Sequence, residues 1–442
     1  MALKFQDHIS HIQSLIDAAV LAADPAKAVA HHLQRDGDVI HVGNVAKKVD
    51  SGEIFLISVG KAAIAMGRAA GEILGESLSQ GVIITKHNQL PSQDNQGEAE
   101  PWPGGIQLFG AGHPISDESS LEATAAAIDL LEQTTARDLV LCLISGGASS
   151  LLTQPIIPLD RWQLLVDQLL ASGCTINELN SVRKRLDSVK GGGLARIAFP
   201  AQCVSLILSD VIGNPLDMIG SGPTASNPDS NDQALRVLER YNLKEILPEH
   251  VWQCVTTTLK QSEQNGDQSN SLAENIIVGD VRLASRAAAR KAVELGFKAT
   301  LLTAHLEGEA REVGKLAAAL AKDAPEGSAL VLGGETTVKL QGDGFGGRNQ
   351  ELALAAAIAL EGWPNRVVAG FATDGDDGPT DAAGAIATGD TVSQAHFAGI
   401  DPMIYLDNND SYSFFSEIGG HIRTGPTGTN VNDLVLILHY GS

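Results

Sequence analysis

The sequence predicts an α/β protein, with a doubly wound N-terminal domain and a second α/β domain built on a mixed sheet. Three observations predict it. Short apolar runs of five or six residues alternate with helical stretches, and each run ends in a glycine-rich or polar loop, the signature of βαβ units. Hydrophobic residues make up 43% of the chain but aromatics only 4%, so the core is aliphatic, as expected for parallel strands covered on both faces. The length, 442 residues, is two or three domains at roughly 150 residues each.

The elements follow in order. Ile9, Ile12, Leu15, Ile16, Ala19 and Val20 recur at helical spacing and predict an opening amphipathic helix. Apolar runs at 54–59, 81–85, 106–109, 138–144 and 203–208 predict strands, each followed by a loop: Gly60-Lys61, Lys86-His87, Gly110 to Pro114, Ser145 to Ser150, and Ser209-Asp210. The polar stretch 261–275 predicts an exposed linker, dividing the chain into domains 1–260 and 276–442. Beyond it, strands are expected at 276–278, 299–302, 329–332, 336–341, 367–371 and 434–438. The run 336–341 alternates and so predicts an antiparallel or edge member. Ligands of such folds bind beyond the carboxyl ends of the strands, and a cleft between the two domains is the expected place.

Charge excludes some partners. Thirty-one Lys and Arg face 53 Asp and Glu, a net charge of −22, which repels nucleic-acid backbones and anionic membranes. An anionic small substrate needs a local cationic pocket, so each cation in a glycine-rich loop is informative. The four cysteines form no CxxC pair, so zinc spacing is absent. The first residues are too polar for a leader and no apolar run approaches the ~20 residues of a membrane span, so a cytoplasmic protein is expected.

Several loops can carry chemistry. Ser145, Gly146, Gly147 and Ser149 follow a buried strand, where N–H groups and hydroxyls can face a phosphate or carboxylate; a tight turn that needs small residues is the alternative. Lys61 sits at a strand exit beside the start of a helix, where an anionic ligand or plain solvation would balance it. Asn180, Arg183, Lys184 and Lys190 belong to a basic segment that ends in three glycines; it is either an anion site or a solvated helix face. Asp210 stands at a strand end, able to accept a hydroxyl proton, to hold a divalent cation or to cap a helix. Asp374, Asp376 and Asp377 place three carboxylates within four positions, which favours a bound cation or makes an acidic turn. Gly342, Gly344 and Gly347 match GxGxxG formally, but the preceding strand is amphipathic rather than buried, so Arg348 and Asn349 read better as phosphate donors.

Taken in succession, Val59-Gly-Lys61-Ala, Gly110-Ala-Gly-His-Pro114, Ser145-Gly-Gly-Ala-Ser149, Asn180 through Gly193, Ser209-Asp210-Val, Gly220-Ser-Gly-Pro223, Gly333-Gly-Glu335-Thr336, Gly347-Arg-Asn-Gln-Glu351 and Thr373-Asp-Gly-Asp-Asp-Gly378 closely resemble the class II glycerate 2-kinases. The resemblance runs from about residue 10 to 440. It implies a Rossmann-like N-terminal domain, a C-terminal domain of the Leu-rich multi-organism fragment type, and ATP-dependent, Mg²⁺-assisted phosphorylation of D-glycerate to 2-phosphoglycerate. Lys61 and Arg348 match positions assigned to the active site. In that reading Asp210 is a candidate base, Glu335 belongs to the phosphate loops, and Asp374 with Asp377 helps hold Mg²⁺. Asn214 departs from the pattern, standing where related sequences often carry Asp. Family members have been labelled hydroxypyruvate reductases, so a nicotinamide-dependent reductase using 342–347 is the competing activity. A carboxylate-binding protein without catalysis is a third reading. A homo-oligomer is compatible with all three.

Overall fold

The computed structural model describes residues 3–91, 102, 105–262 and 273–441. Contacts divide the chain into two compact units. One comprises Pro25–Ser209 and Asn214–Val278; the other comprises Met1–Asp24, Asp210–Gly213 and Gly279–Ser442.

The first unit opens with a small antiparallel meander, β1 (Leu33–Asp36), β2 (Val39–Val42) and β3 (Val45–Lys48). The expected strands follow as β4 (Ile54–Val59), β5 (Leu78–Lys86), β6 (Ile106–Ala111), β7 (Leu139–Ile144) and β8 (Gln202–Leu208). A strand covered on both faces must be apolar throughout. Accordingly β4 and β7 are buried at every residue, and β8 at all but its first. With β9 (Ala273–Gly279) they form a six-stranded sheet ordered β6-β5-β4-β7-β8-β9, in which β4, β5, β6, β7 and β8 pair in parallel. The chain order reverses between β4 and β7, so the sheet is doubly wound, as the alternating pattern implies. A separate apolar core joins the helices Leu159–Ala171, Ile176–Leu186, Asn231–Arg240 and Glu249–Ser262 through Trp162, Leu165, Leu179, Leu238 and Val255.

Two expectations about boundaries change. The run 276–278 completes the first sheet as part of β9 instead of opening the second, and most of the expected linker, 263–272, lies outside the described residues. The opening helix forms at His8–Ala22, with Ile12, Leu15, Ile16 and Ala19 buried, but it packs on the helix Val281–Leu295 of the second unit. Its amphipathic stripe shows that it must be covered, not by what.

The second unit holds a mixed sheet ordered β10-β11-β15-β12-β13-β14, where β10 is Lys298–Glu309, β11 Ser328–Thr337, β12 Arg366–Ala372, β13 Gly384–Thr388, β14 His421–Ile422 and β15 Asp433–His439. β10 and β11 are parallel and the remaining pairs antiparallel. The runs 329–332 and 336–341 are not two strands. β11 continues through Gly333 and Gly334 to Thr337, and 338–341 leave the sheet. Glycine there permits a close approach rather than a turn: a Cβ on Gly333 would stand 2.3 Å from Ser285 Oγ on the helix that covers the strand.

Val435 and Ile437 of β15 pack with Leu332 and Val368 against the helices Ala310–Asp323 and Arg348–Ala359. These helices cross at Gly314, where a Cβ would lie 2.3 Å from the Leu352 carbonyl oxygen and 2.9 Å from Ala355 Cβ. Helix propensity favours Gly→Ala by about 1 kcal/mol, while overpacking costs roughly 1–3 kcal/mol. A backbone carbonyl cannot yield without moving its helix, so the clash wins. Gly314→Ala is expected to lower the thermal midpoint; a raised midpoint would show that the crossing has slack.

Candidate active site

Because β4 to β8 run parallel, their carboxyl ends share one edge, and the loops after β4 and β7 flank the point where strand order reverses. Those loops are stitched together. The Lys61 N–H donates to the Gly146 carbonyl at 2.8 Å, and the Ser145 hydroxyl accepts from Ala62 N–H at 3.1 Å and donates to the Val59 carbonyl at 3.3 Å. Gly60 has φ +124°, and a Cβ there would stand 2.2 Å from Ser145 Oγ. Ser145 is therefore buried and spent on the stitch rather than presented to a ligand. The helix expected after this loop is one turn, Ala148–Leu151, too short for its N-terminus to serve as an anion site. What the loops do bring together is Lys61, Gly147 and His113: a Cβ on Gly147 would lie 3.2 Å from the His113 ring and 3.4 Å from Lys61 Cγ. Desolvation, with Lys61 and Lys86 close by, lowers the His113 imidazole to about 4. His113 stands beside Lys61 in the loop after β6, to which the strand-end rule that singled out Lys61 applies as well, although sequence reasoning gave it no role of its own.

The basic segment sorts into different roles. Lys190 is fully buried; its ammonium donates to the carbonyls of Ser149 at 2.7 Å and Leu152 at 2.8 Å and lies 3.6 Å from Asp187 Oδ2. It fastens the 145–150 loop and does not face a ligand. Burial lowers it to about 8. Lys184 is likewise enclosed, paired with Asp217 at 2.9 Å and Asp229 at 2.5 Å. Asn180 is buried and accepts from the Ser221 hydroxyl at 3.0 Å, and that hydroxyl lies 3.1 Å from Ser149 Oγ. Arg183 differs: it lines a cavity together with Ser149. Asn214 takes φ +55°, a left-handed conformation that Asn and Asp both tolerate, so the departure from the family pattern leaves the backbone unchanged. Asp210 lies two residues beyond β8.

In the second unit Arg348 opens the helix Arg348–Ala359. Its Nε and Nη2 donate to Asp433 at 2.6 and 3.0 Å, and its Nη1 donates to Glu335 at 2.7 Å. Burial disfavours the charge, but Asp433, Glu335 and Asp377 outweigh it and hold the guanidinium's proton more tightly than usual. Asn432 donates to the other Glu335 oxygen at 3.3 Å.

Asn349 and Asp377 do not stand open to a ligand. Asp377 is buried and accepts from the backbone N–H groups of Asn349 and Gln350 and from both side-chain amides, between 2.9 and 3.2 Å. It caps the helix, which is why a carboxylate is needed there. Asp374 remains half-exposed, with one oxygen accepting from Asp376 N–H. Among the described residues no group of three His, Cys, Asp or Glu is arranged to hold a metal ion. The GxGxxG match has a packing cause: Cβ atoms on Gly342 and Gly344 would lie 2.2 and 2.4 Å from atoms of Asn408, and one on Gly347 would lie 2.3 Å from Asp377 Cγ.

Two outcomes follow from this geometry. Lys190→Met removes a buried ammonium from Asp187, the kind of loss that costs about 3–5 kcal/mol, so a fall in thermal midpoint is expected; an unchanged midpoint would mean the loop is held otherwise. For His113, an NMR titration is expected to find a neutral ring above about pH 5, with Lys61→Met moving the midpoint upward. Because the folded value is depressed, any stability linked to this ring is complete above the ordinary 6.5 and is lost as pH falls towards 4. An unmoved midpoint in the variant would separate Lys61 from the ring.

Two family models match the chain, "Domain of unknown function (DUF4147)" at residues 11–256 and "MOFRL family" at 328–433. The D-glycerate 2-kinase of Thermotoga maritima is 42% identical over 400 residues, covering 88% of this chain and 91% of that protein. The glycerate 2-kinase of Pyrococcus horikoshii is 37% identical over 435 residues, covering 96% of each. The glycerate kinase of Rattus norvegicus is 38% identical, covering 97% of this chain and 92% of its own. The crystal structure of the glycerate kinase from Thermotoga maritima superposes with a TM-score of 0.84 at 37% identity, covering 98% of this chain and 100% of that one. No helix among the described residues is long and apolar enough to cross a membrane. With both family models in place and relatives of this identity along nearly its whole length, the chain belongs to the glycerate 2-kinase family.

Proposed function

We propose that this protein is a glycerate 2-kinase, which transfers the γ-phosphoryl group of ATP to the 2-hydroxyl of D-glycerate and releases ADP and 2-phosphoglycerate. The observation that carries this reading is likeness to glycerate kinases across both units rather than over one. Phosphoryl transfer asks a protein chiefly for positioning and for positive charge around the migrating group. The first unit offers Lys61, beside Gly147 and His113 at the switch point, as a source of such charge, and the second unit offers Arg348, whose guanidinium is already fixed by Asp433 and Glu335. In this reading Asp210 takes the proton of the attacking hydroxyl. An arginine so placed contributes a factor of about 10³ or more by analogy with arginine fingers.

Mg²⁺ is bound in such enzymes through one or two carboxylates together with the phosphates of the nucleotide. The half-exposed Asp374 fits that demand; Asp377, with its oxygens committed to the helix terminus, does not. The ion would neutralise charge on the nucleotide phosphates. Nothing in the 342–347 segment favours a nicotinamide reductase, since the glycines of the match are close-packed against Asn408 and Asp377.

The test is a coupled assay for ADP with D-glycerate, with the product isomer identified. Turnover of ATP to 2-phosphoglycerate is expected. Consumption of NADH with hydroxypyruvate, and no ATP turnover with glycerate, would overturn the reading. Arg348→Ala is expected to lower kcat far more than it raises the glycerate KM, with Arg348→Lys as the control that keeps a charge opposite Asp433. Near-normal turnover in Arg348→Ala would remove it from the mechanism.

A further inference from the structure

Within the first unit a small pocket, open at its mouth, is lined by Pro114, Ile115, Ser116, Ser149, Trp162, Gln163, Val166 and Arg183. Most of its polar groups are already engaged. The Ser116 hydroxyl donates to the Ser150 carbonyl and Gln163 Nε2 donates to the Ser116 carbonyl, each at 2.8 Å. Arg183 is the exception. The residue is only 9% exposed, yet among the described residues no hydrogen bond or ion pair engages its guanidinium. Asp187 acts on it through charge alone, because the Asp187 carboxylate accepts from Thr153, Gln154 and Val189. A buried charge without a direct partner is costly, and the cations nearby in sequence, Lys184 and Lys190, are both paired. The cavity thus offers a single planar cation, the Ser149 hydroxyl, and walls formed by Pro114, Ile115, Trp162 and Val166. One guanidinium matches the single charge and paired oxygens of a carboxylate, whereas a triphosphate would bring several uncompensated charges.

We propose that this cavity receives the carboxylate of the hydroxy-acid substrate, with Arg183 as its counter-charge and Ser149 as a second donor, and that this contact excludes uncharged polyols. The inference rests on the glycerate-kinase reading and deepens it, assigning the acid group to Arg183 and not to Lys184 or Lys190.

The experiment measures KM for glycerate and for its uncharged amide, which keeps both hydroxyls, together with calorimetric binding of glycerate. In Arg183→Gln the glycerate KM is expected to rise at least about tenfold, preference for the acid over the amide is expected to fall by a similar factor, and the ATP KM is expected to stay put. Arg183→Lys should recover part of the preference. An unchanged acid-to-amide ratio in Arg183→Gln overturns the inference while leaving the kinase assignment intact. If the wild-type protein shows no ATP turnover with glycerate, the kinase assignment fails, and calorimetry still decides the pocket: glycerate must bind wild type and not the variant. Should Arg183→Gln fail to fold, Val166→Phe, which fills the cavity and keeps every charge, is expected to abolish glycerate binding; retained affinity overturns the inference.

Discussion

A buried ammonium holds the loop at the centre of the first unit's carboxyl edge. Lys190 reaches the backbone carbonyls of Ser149 and Leu152 and carries Asp187 as its counter-ion. These contacts fix where the loop after β7 runs. The loop in turn fixes Lys61 through the Gly146 carbonyl, and its Gly147 brings His113 alongside. An ion placed in this way sets geometry more than it adds stability, because desolvation consumes much of the attraction it gains. The surrounding sheet supplies rigidity, and the buried cation supplies the register between two neighbouring loops.

The second unit solves a comparable problem with the opposite exposure. Arg348 is clamped by Asp433 from β15 and by Glu335 from β11, so its planar fork is oriented by two neighbouring strands before any ligand arrives. Its helix is capped by Asp377 from a different loop. The carboxylates that crowd these loops are thus divided between holding a cation in place and satisfying a helix terminus, with Asp374 left half-exposed.

The fold was largely legible in the sequence. Strands β4, β7 and β8 are continuous apolar runs, and a doubly covered strand admits little else. The meander β1–β3 escaped notice because strands such as Leu33–Asp36 carry one apolar residue among four and owe their state to pairing rather than to pattern. The extra length of β10, and the unbroken course of β11 through Gly333 and Gly334, were hidden for a related reason, since glycine in a strand signals either a break or a close neighbour and only the neighbour's position decides. The site was half legible. Lys61 and the 145–150 loop stand at strand ends as expected, and Arg348 at the start of a helix. Lys184, Lys190, Asn349 and Asp377 were marked by charge or polarity, which sequence displays, but their partners lie up to 45 residues away and sequence alone does not reveal them. Asp433 carries no local signal, being an acidic residue at the start of an ordinary strand.

The position of β15 has a consequence for how the second unit is made. The strand nearest the chain's carboxyl end lies between β11 and β12, in the middle of the sheet, with residues 338–432 intervening after β11. At ribosomal speeds of roughly 5–20 residues per second, β10 and β11 wait on the order of 5–20 s for the partner that joins them to β12 and β13. During that interval two short sheets present unpaired edges. Until the closing strand emerges, the facing edges of β11 and β12 have no partner, and an open edge is a template for pairing with another chain.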